Sequence, residues 1–300
     1  MYMMSSMKLR RAKQRLENTE PYFESLQEQI KDILYHFPDM QHLYFDNRAE
    51  DEKELVKRKC FLLITGDKGM AGAYNHNVLK VSQKLLDEAE AKRIFVVGEY
   101  GKHFFPAKGY AIEEDFTFPA GNPTMHRARI IAEEIIKLYD DEEIDEVYVV
   151  YTRMLNGIKE ETKVEKILPL MTHKFIRSEV LQRRLDELID RSQSEMEEDD
   201  MEWMFLPSPS AVLEKIVMNY VIGFIYGALV ESYASEENSR MMAMQSATDN
   251  AEAILHDLSV EYNRVRQAAI TQEITEVIGG AKALKKKKEK KQKQLLGEVN

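Results

Sequence analysis

The residues best placed to do chemistry lie in the stretch ITGDKGMAGAYNHN, where Gly66, Gly69 and Gly72 follow an apolar run and open a helical pattern. Backbone amides in a strand-to-helix loop can cradle a phosphate, so a nucleotide is the first ligand to consider. The spacing argues against it. It is neither G-x-G-x-x-G nor G-x-x-x-x-G-K-[ST], and Lys68 is followed by Gly69 where a phosphate loop needs a hydroxyl for magnesium. A structural turn, in which glycine permits close packing, is the simpler expectation, and no cofactor is expected.

Other constellations carry less. His36, His42, His76, His103, His126, His173 and His256 never fall at metal-ligand spacing with a second His or Cys, and there is no G-x-S-x-G serine. The carboxylate pairs Glu113-Glu114, Glu133-Glu134 and Asp140-Asp141 sit in hydrophilic faces or turns, where solvation accounts for them. Cys60, the single cysteine, excludes an internal disulfide framework and opens an apolar run, so it reads as a buried thiol in a reducing compartment. No active site and no metal site are expected.

The elements around the glycine loop alternate. Residues 60–65, CFLLIT, read as a buried strand, 73–91 as a helix and 93–98 as a second strand, a parallel α/β signature. A short helix or turn over 101–106 and a helix over 124–139 precede a valine-rich strand at 147–151. Asn156-Gly157 then predicts an antiparallel return along 164–170. Residues 177–200 are charged and end in EMEEDD, which suggests a helix or mobile segment outside the core.

Long helical patterns flank this region. Residues 1–36 carry Leu9, Ala12, Leu16, Thr19, Phe23, Leu26, Ile30 and Ile33 at steps of three and four, with Pro21 inside the pattern. The early basic cluster Lys8, Arg10, Arg11, Lys13 and Arg15 is a candidate contact surface. From the capping Ser208 and Pro209 the chain holds no further proline, and the next glycine pair is Gly279-Gly280. A helix over 209–280 would be on the order of 105 Å long, too long to lie on one globular core. Its second half repeats Ala251, Leu255, Leu258, Tyr262, Val265 and Ala269, a heptad seam that asks for a partner, for which the N-terminal helix is the candidate.

With 44% apolar and 31% charged residues, there is room for one α/β domain plus helical arms. The net charge of -10 argues against a general nucleic-acid binder. The longest apolar run, 220–230, is too short to span a bilayer and contains Gly223 and Gly227, and no signal peptide is evident.

The run from Ser239 to Ala283, with MKLRRAKQRLENTEPYFE near the start and ITGDKGMAGAYNHN after the first strand, resembles the γ-subunit family of F-type ATP synthases over almost the whole chain. The resemblance implies an α/β protein: a long antiparallel coiled coil of the N- and C-terminal helices with an inserted Rossmann-like domain. The expected division is an N-terminal coiled-coil helix at 1–45, the α/β domain at 58–176, a charged connector and foot at 177–208, the C-terminal helix at 209–280 and a basic, disordered tail at 281–300. It further implies a non-catalytic central rotor that couples ion flow through the membrane ring to ATP synthesis or hydrolysis in β subunits. The implied partners are the α and β subunits, the ε subunit and the membrane c-ring. There would be no nucleic acid and no direct bilayer insertion, and the place would be peripheral, on the cytoplasmic face of the cell membrane.

Within the matching motifs, Arg266, Gln267, Thr271 and Glu273 correspond to positions that contact β, and Arg240 and Met1 to coupling positions on the two helices near a lower contact with β. Trp203 and Phe205, in WMFLPSPS, correspond to aromatic positions that meet the ring and ε. Two features depart from the pattern. Family members usually begin earlier, with a basic helical turn or two that completes the coiled coil, and they commonly stop soon after the glycine-alanine run that here precedes ALKKKKEKKQKQLLGEVN. Two other classes remain open: a coiled-coil adaptor derived from the same fold but outside any ATPase, and a soluble phosphate-binding α/β enzyme.

Overall fold

The computed structural model describes residues 2–37, 42–45, 57–157, 159–171 and 205–297, with side chains through 288 except that of Tyr35. Met1, Trp203 and the expected connector over 177–200 lie outside the described residues. The chain runs α1 (Tyr2–His36), a 3-10 turn (Leu43–Phe45), β1 (Arg58–Ile64), α2 (Tyr74–Glu88), β2 (Ala91–Val97), α3 (Glu99–Ala107), α4 (Met125–Asp140), β3 (Glu146–Met154), β4 (Glu160–Leu168) and α5 (Pro209–Gly297). By its internal contacts the chain divides into two units, residues 1–244 and 245–300.

In the first unit, four strands form one sheet in the order β2-β1-β3-β4. β1 is parallel to both β2 and β3, while β3 and β4 are antiparallel with Thr152 opposite Thr162. β1 is apolar from Cys60 to Ile64 because both its faces are covered, as a central parallel strand requires. Phe61, Leu63, Ile94 and Val96 pack on one face with Val78, Leu86 and Phe105 of α2 and α3. Cys60, Leu62, Phe95 and Val149 pack on the other with Ile131 and Ile135 of α4, Ile30 and Ile33 of α1, and Val217 and Val221 of α5. Side chains of this type each contribute ~1.5–3 kcal/mol when fully buried. β4 begins at Glu160, four residues before its apolar pattern, because it is an edge strand whose charged EETKVEK side chains remain half-exposed.

α1 and the first part of α5 form an antiparallel pair. Lys8 lies 3.0 Å from Glu237, Phe23 stacks on Tyr220 at 5.0 Å, and Phe37 meets Phe205 edge-on at 5.6 Å, so α1 positions rise as α5 positions fall. Gly223 permits the closest approach: a Cβ there would lie 3.0 Å from the Phe23 ring. The seam of α1 is used as its spacing predicts, with Leu9, Ala12, Leu26, Ile30 and Ile33 buried, and the helix continues past Pro21. The start of α5 is capped by Ser208, whose hydroxyl accepts from the Ala211 amide at 3.2 Å.

By composition, part of α5 is apolar and long enough to cross a membrane. Within the unit, its Val221, Ile225, Leu229 and Val230 are buried in the core beneath the sheet, which is what makes that stretch apolar.

Two expectations about α5 need correction. The heptad seam over 251–269 was expected to pair with the N-terminal helix, but α1 is occupied against the earlier part of α5. Leu255, Leu258, Tyr262 and Val265 are 65%, 60%, 65% and 58% exposed. The helix was also expected to stop at Gly279-Gly280 before a disordered tail, yet it continues to Gly297. A glycine inside a helix costs only about 1 kcal/mol relative to alanine, and the following Ala281, Ala283, Leu284 and lysines are good helix formers.

Candidate functional site

In an open α/β sheet, ligands bind beyond the carboxyl ends of the strands where the strand order reverses. Here that point lies between β1 and β3, where the chain leaves Ile64 for Thr65 and Gly66 and leaves β3 near Thr152. The crevice is filled by α5. The Thr152 amide donates to Ser232 Oγ at 3.1 Å and Ser235 Oγ donates to the Thr152 carbonyl at 3.2 Å. Asn238 donates to the Gly157 carbonyl at 3.1 Å, and Ser239 donates to Glu160 at 2.5 Å. Glu236 presses on the glycine loop itself: a Cβ on Gly66 would fall 2.9 Å from its carboxyl group. Gly66 is therefore required by packing against a carboxylate of the same chain.

Three amides at this end of the sheet are committed as well. Gly66 donates to Asn75 Oδ1 at 2.9 Å, while the amides of Ala120 and Gly121 donate to the Asp67 carboxylate at 2.8 and 2.7 Å. With two carboxylates, Asp67 and Glu236, at the loop, a phosphate would meet like charge where it needs donors. Gly98 closes the far side. Its φ of 95° suits glycine, and a Cβ would lie 2.3 Å from the Thr65 carbonyl oxygen.

Below the crevice is a buried ionic cluster. Arg240 pairs with Glu236 and, at 3.0 Å, with Glu237, which also receives Lys8 of α1 at 3.0 Å. Burial pushes the Glu236 carboxyl above the usual range, opposed by the hydrogen bond and charge of Arg240. Burial likewise raises Glu160, opposed by its bond from Ser239. These contacts clamp α5 to the sheet and to α1. Among the described residues, no group of His, Cys, Asp and Glu is arranged to hold a metal. Cys60 is fully buried and its thiol is pushed up by that burial, so it is a core residue and not a nucleophile.

The residues singled out by motif are distributed unevenly. Arg240 is 9% exposed and engaged within its own chain, and Phe205 packs on Phe37. Arg266, Gln267, Thr271 and Glu273 are exposed in the second unit, where Thr271 Oγ1 donates back to the Gln267 carbonyl at 2.8 Å. Arg266 and Glu273, seven apart, share a helix face. Asp67, Ser232, Ser235, Glu236 and Asn238 were not anticipated. For the four on α5 the signal was the polar run ESYASEENSR interrupting an apolar helix, which is equally the pattern of a solvated turn.

Fold and site together define a class: terminal helices carrying an inserted α/β domain whose strand-end crevice is closed by its own long helix. A family model described as ATP synthase matches residues 1–284. The ATP synthase gamma chain of Acetivibrio thermocellus is 41% identical over 285 residues, covering 95% of this chain and 92% of its own length, and that of Ruminiclostridium cellulolyticum is 39% identical with the same coverage. Among solved structures, a chain from the Tetrahymena thermophila mitochondrial ATP synthase central stalk/c-ring has a similar fold. It matches with a TM-score of 0.53 at 20% identity, over 82% of this chain and 97% of that one. The chain belongs to the ATP synthase gamma-chain family.

Proposed function

We propose that the chain is the central-stalk rotor subunit of a rotary F-type ATP synthase, coupling ion flow through a membrane ring to ATP synthesis or hydrolysis in catalytic β subunits. The observation that carries this reading is the run of exposed apolar side chains on α5 from Ile254 to Leu284, each 44–72% exposed, in a helix that carries the family's motifs. Single exposed apolar residues are ordinary, but a sustained heptad row marks a surface that other chains cover. A ring of α and β subunits, with ε and the c-ring at the other end, supplies such partners. The chain would then sit peripherally on the cytoplasmic face of the cell membrane.

In this reading the chain performs no chemistry of its own, and its filled crevice supports that. An asymmetric helix turning inside a ring makes different contacts with otherwise equivalent β subunits. Each position stabilises one subunit's tight state over its open state, and rotation moves that preference onward. Arg266, Gln267, Thr271 and Glu273 are the proposed contacts with β on the exposed helix. Arg240 and Met1 are proposed to act near the lower contact, and Trp203 and Phe205 to meet the ring and ε.

Mixing the chain with α, β and ε subunits tests this. A stoichiometric complex whose ATPase activity requires the chain is expected. Failure to join the α and β subunits would favour an adaptor outside any ATPase.

A further inference from the structure

Within the first unit, α5 passes through two stretches of opposite character. From Tyr220 to Val230 it carries no charged side chain, and Val221, Ile222, Ile225, Tyr226, Leu229 and Val230 are buried although they point to successive sides of the helix. A stretch that is apolar on nearly every side is held in the core with little to specify which side faces the sheet. Turning it about its axis exchanges one apolar neighbour for another, and such cores lose a unique arrangement before they lose stability. The apolar stretch supports α5 but marks its angle weakly.

The polar stretch that follows marks it strongly. Ser232 and Ser235 bond the Thr152 amide and carbonyl of β3 at 3.1 and 3.2 Å, Asn238 bonds the Gly157 carbonyl beyond β3 at 3.1 Å, and Ser239 bonds Glu160 of β4 at 2.5 Å. Glu236 lies against Gly66 after β1, and Glu237 meets Lys8 of α1 at 3.0 Å. At about 100° per residue, these six side chains spread over roughly 260° of the helix circumference. Hydrogen bonds weaken steeply when misaligned, so turning α5 either way breaks several of them together. The collar lies shortly before the second unit, which begins at Gln245 and continues the same helix.

We propose that Ser232, Ser235, Asn238 and Ser239 are positioning residues that fix the angle of α5 about its own axis within the α/β domain, so that helix and domain turn together. This rests on the rotor reading. A torque applied to the exposed β contacts of the second unit reaches the domain only as far as α5 cannot turn inside it.

Angular fluctuation in the assembled complex tests it. With the α and β subunits fixed to a surface and a probe on a cysteine introduced at the exposed Lys108, the angular variance of the probe in the pauses at limiting ATP reads the stiffness between ring and domain. Ser232→Ala with Ser235→Ala should raise that variance ~2-fold or more, because direction-specific bonds give way to contacts that tolerate turning. ATPase turnover should stay unchanged, since the proposed β contacts are untouched. Val221→Ala, which opens a cavity in the apolar stretch, should lower the thermal midpoint and leave the variance at the wild-type value. If the double serine variant does not fold, Asn238→Ala with Ser239→Ala, whose bonds are only part-buried, should raise the variance in the same way. Wild-type variance in a folded polar variant, or an equal rise in Val221→Ala, overturns the proposal while the rotor reading stands. A wild-type probe that stays still during ATP hydrolysis overturns the rotor reading and this proposal with it.

Discussion

Arg240 is held by two carboxylates of its own helix, Glu236 and Glu237, in a place where its side chain is 11% exposed. Removing one partner from a buried ionic group leaves the others uncompensated, which typically costs ~3–5 kcal/mol. Arg240→Met should therefore lower the unfolding free energy of the isolated chain by about 3 kcal/mol, read from its urea midpoint. An unchanged midpoint would mean that Arg240 matters only to a partner. The pH dependence has a definite sign. Glu236 keeps its proton to a higher pH in the folded chain than when unfolded, so its contribution to stability falls as pH rises between the ordinary carboxylate value and the raised one. Without Arg240 that window widens, and the deficit of the variant should shrink as pH falls through the raised value towards the ordinary carboxylate range. Arg266 and Gln267 belong to the other unit and touch no core, so their test is different. Arg266→Ala with Gln267→Ala should leave assembly intact and reduce ATPase turnover of the complex about 10-fold, the scale of one charge-assisted hydrogen bond lost. Wild-type turnover would remove these side chains from the coupling contact.

Among the elements, α5 combines the most readable signals with the least readable ones. Its start follows from Ser208 and Pro209, and its apolar seam is plain in Leu255, Leu258 and Tyr262. What covers that seam is not written in it, because a heptad row asks for a helix without saying whose. The end of α5 was misjudged at Gly279-Gly280, since glycine raises the free energy of a helix without forbidding it, and favourable neighbours on both sides carry the helix through. Gly280→Ala should slow amide exchange over 281–288 by about 5-fold, as expected from ~1 kcal/mol of added helix stability. Unchanged exchange would show that the glycine pair does not limit the helix there. β1, β2 and β3 were legible because buried parallel strands are continuously apolar. β4 was read short because an edge strand may be charged along most of its length, as EETKVEK is. The filled crevice was half visible: glycine spacing that fits neither phosphate motif argued against a phosphate, but only the fold brings Glu236 to Gly66, 170 positions apart in the numbering.

The whole molecule combines a closed α/β domain with a long helix bearing an exposed seam, a build that suits a mechanical role within a larger machine. The domain's strand-end crevice is occupied by the chain's own side chains, so purified chain should show no saturable ATP binding at micromolar nucleotide by calorimetry, and such binding would reopen the enzyme reading. The central claim is rotation, and the single cysteine makes it accessible. Because Cys60 is fully buried, a thiol-reactive probe will react selectively with a cysteine introduced at the exposed Lys108. With Lys108→Cys labelled and the α and β subunits of the assembled complex fixed to a surface, the probe should turn in one direction when ATP is added and stop when ATP is exhausted. ATP hydrolysis that depends on this chain while the probe stays still would contradict the account.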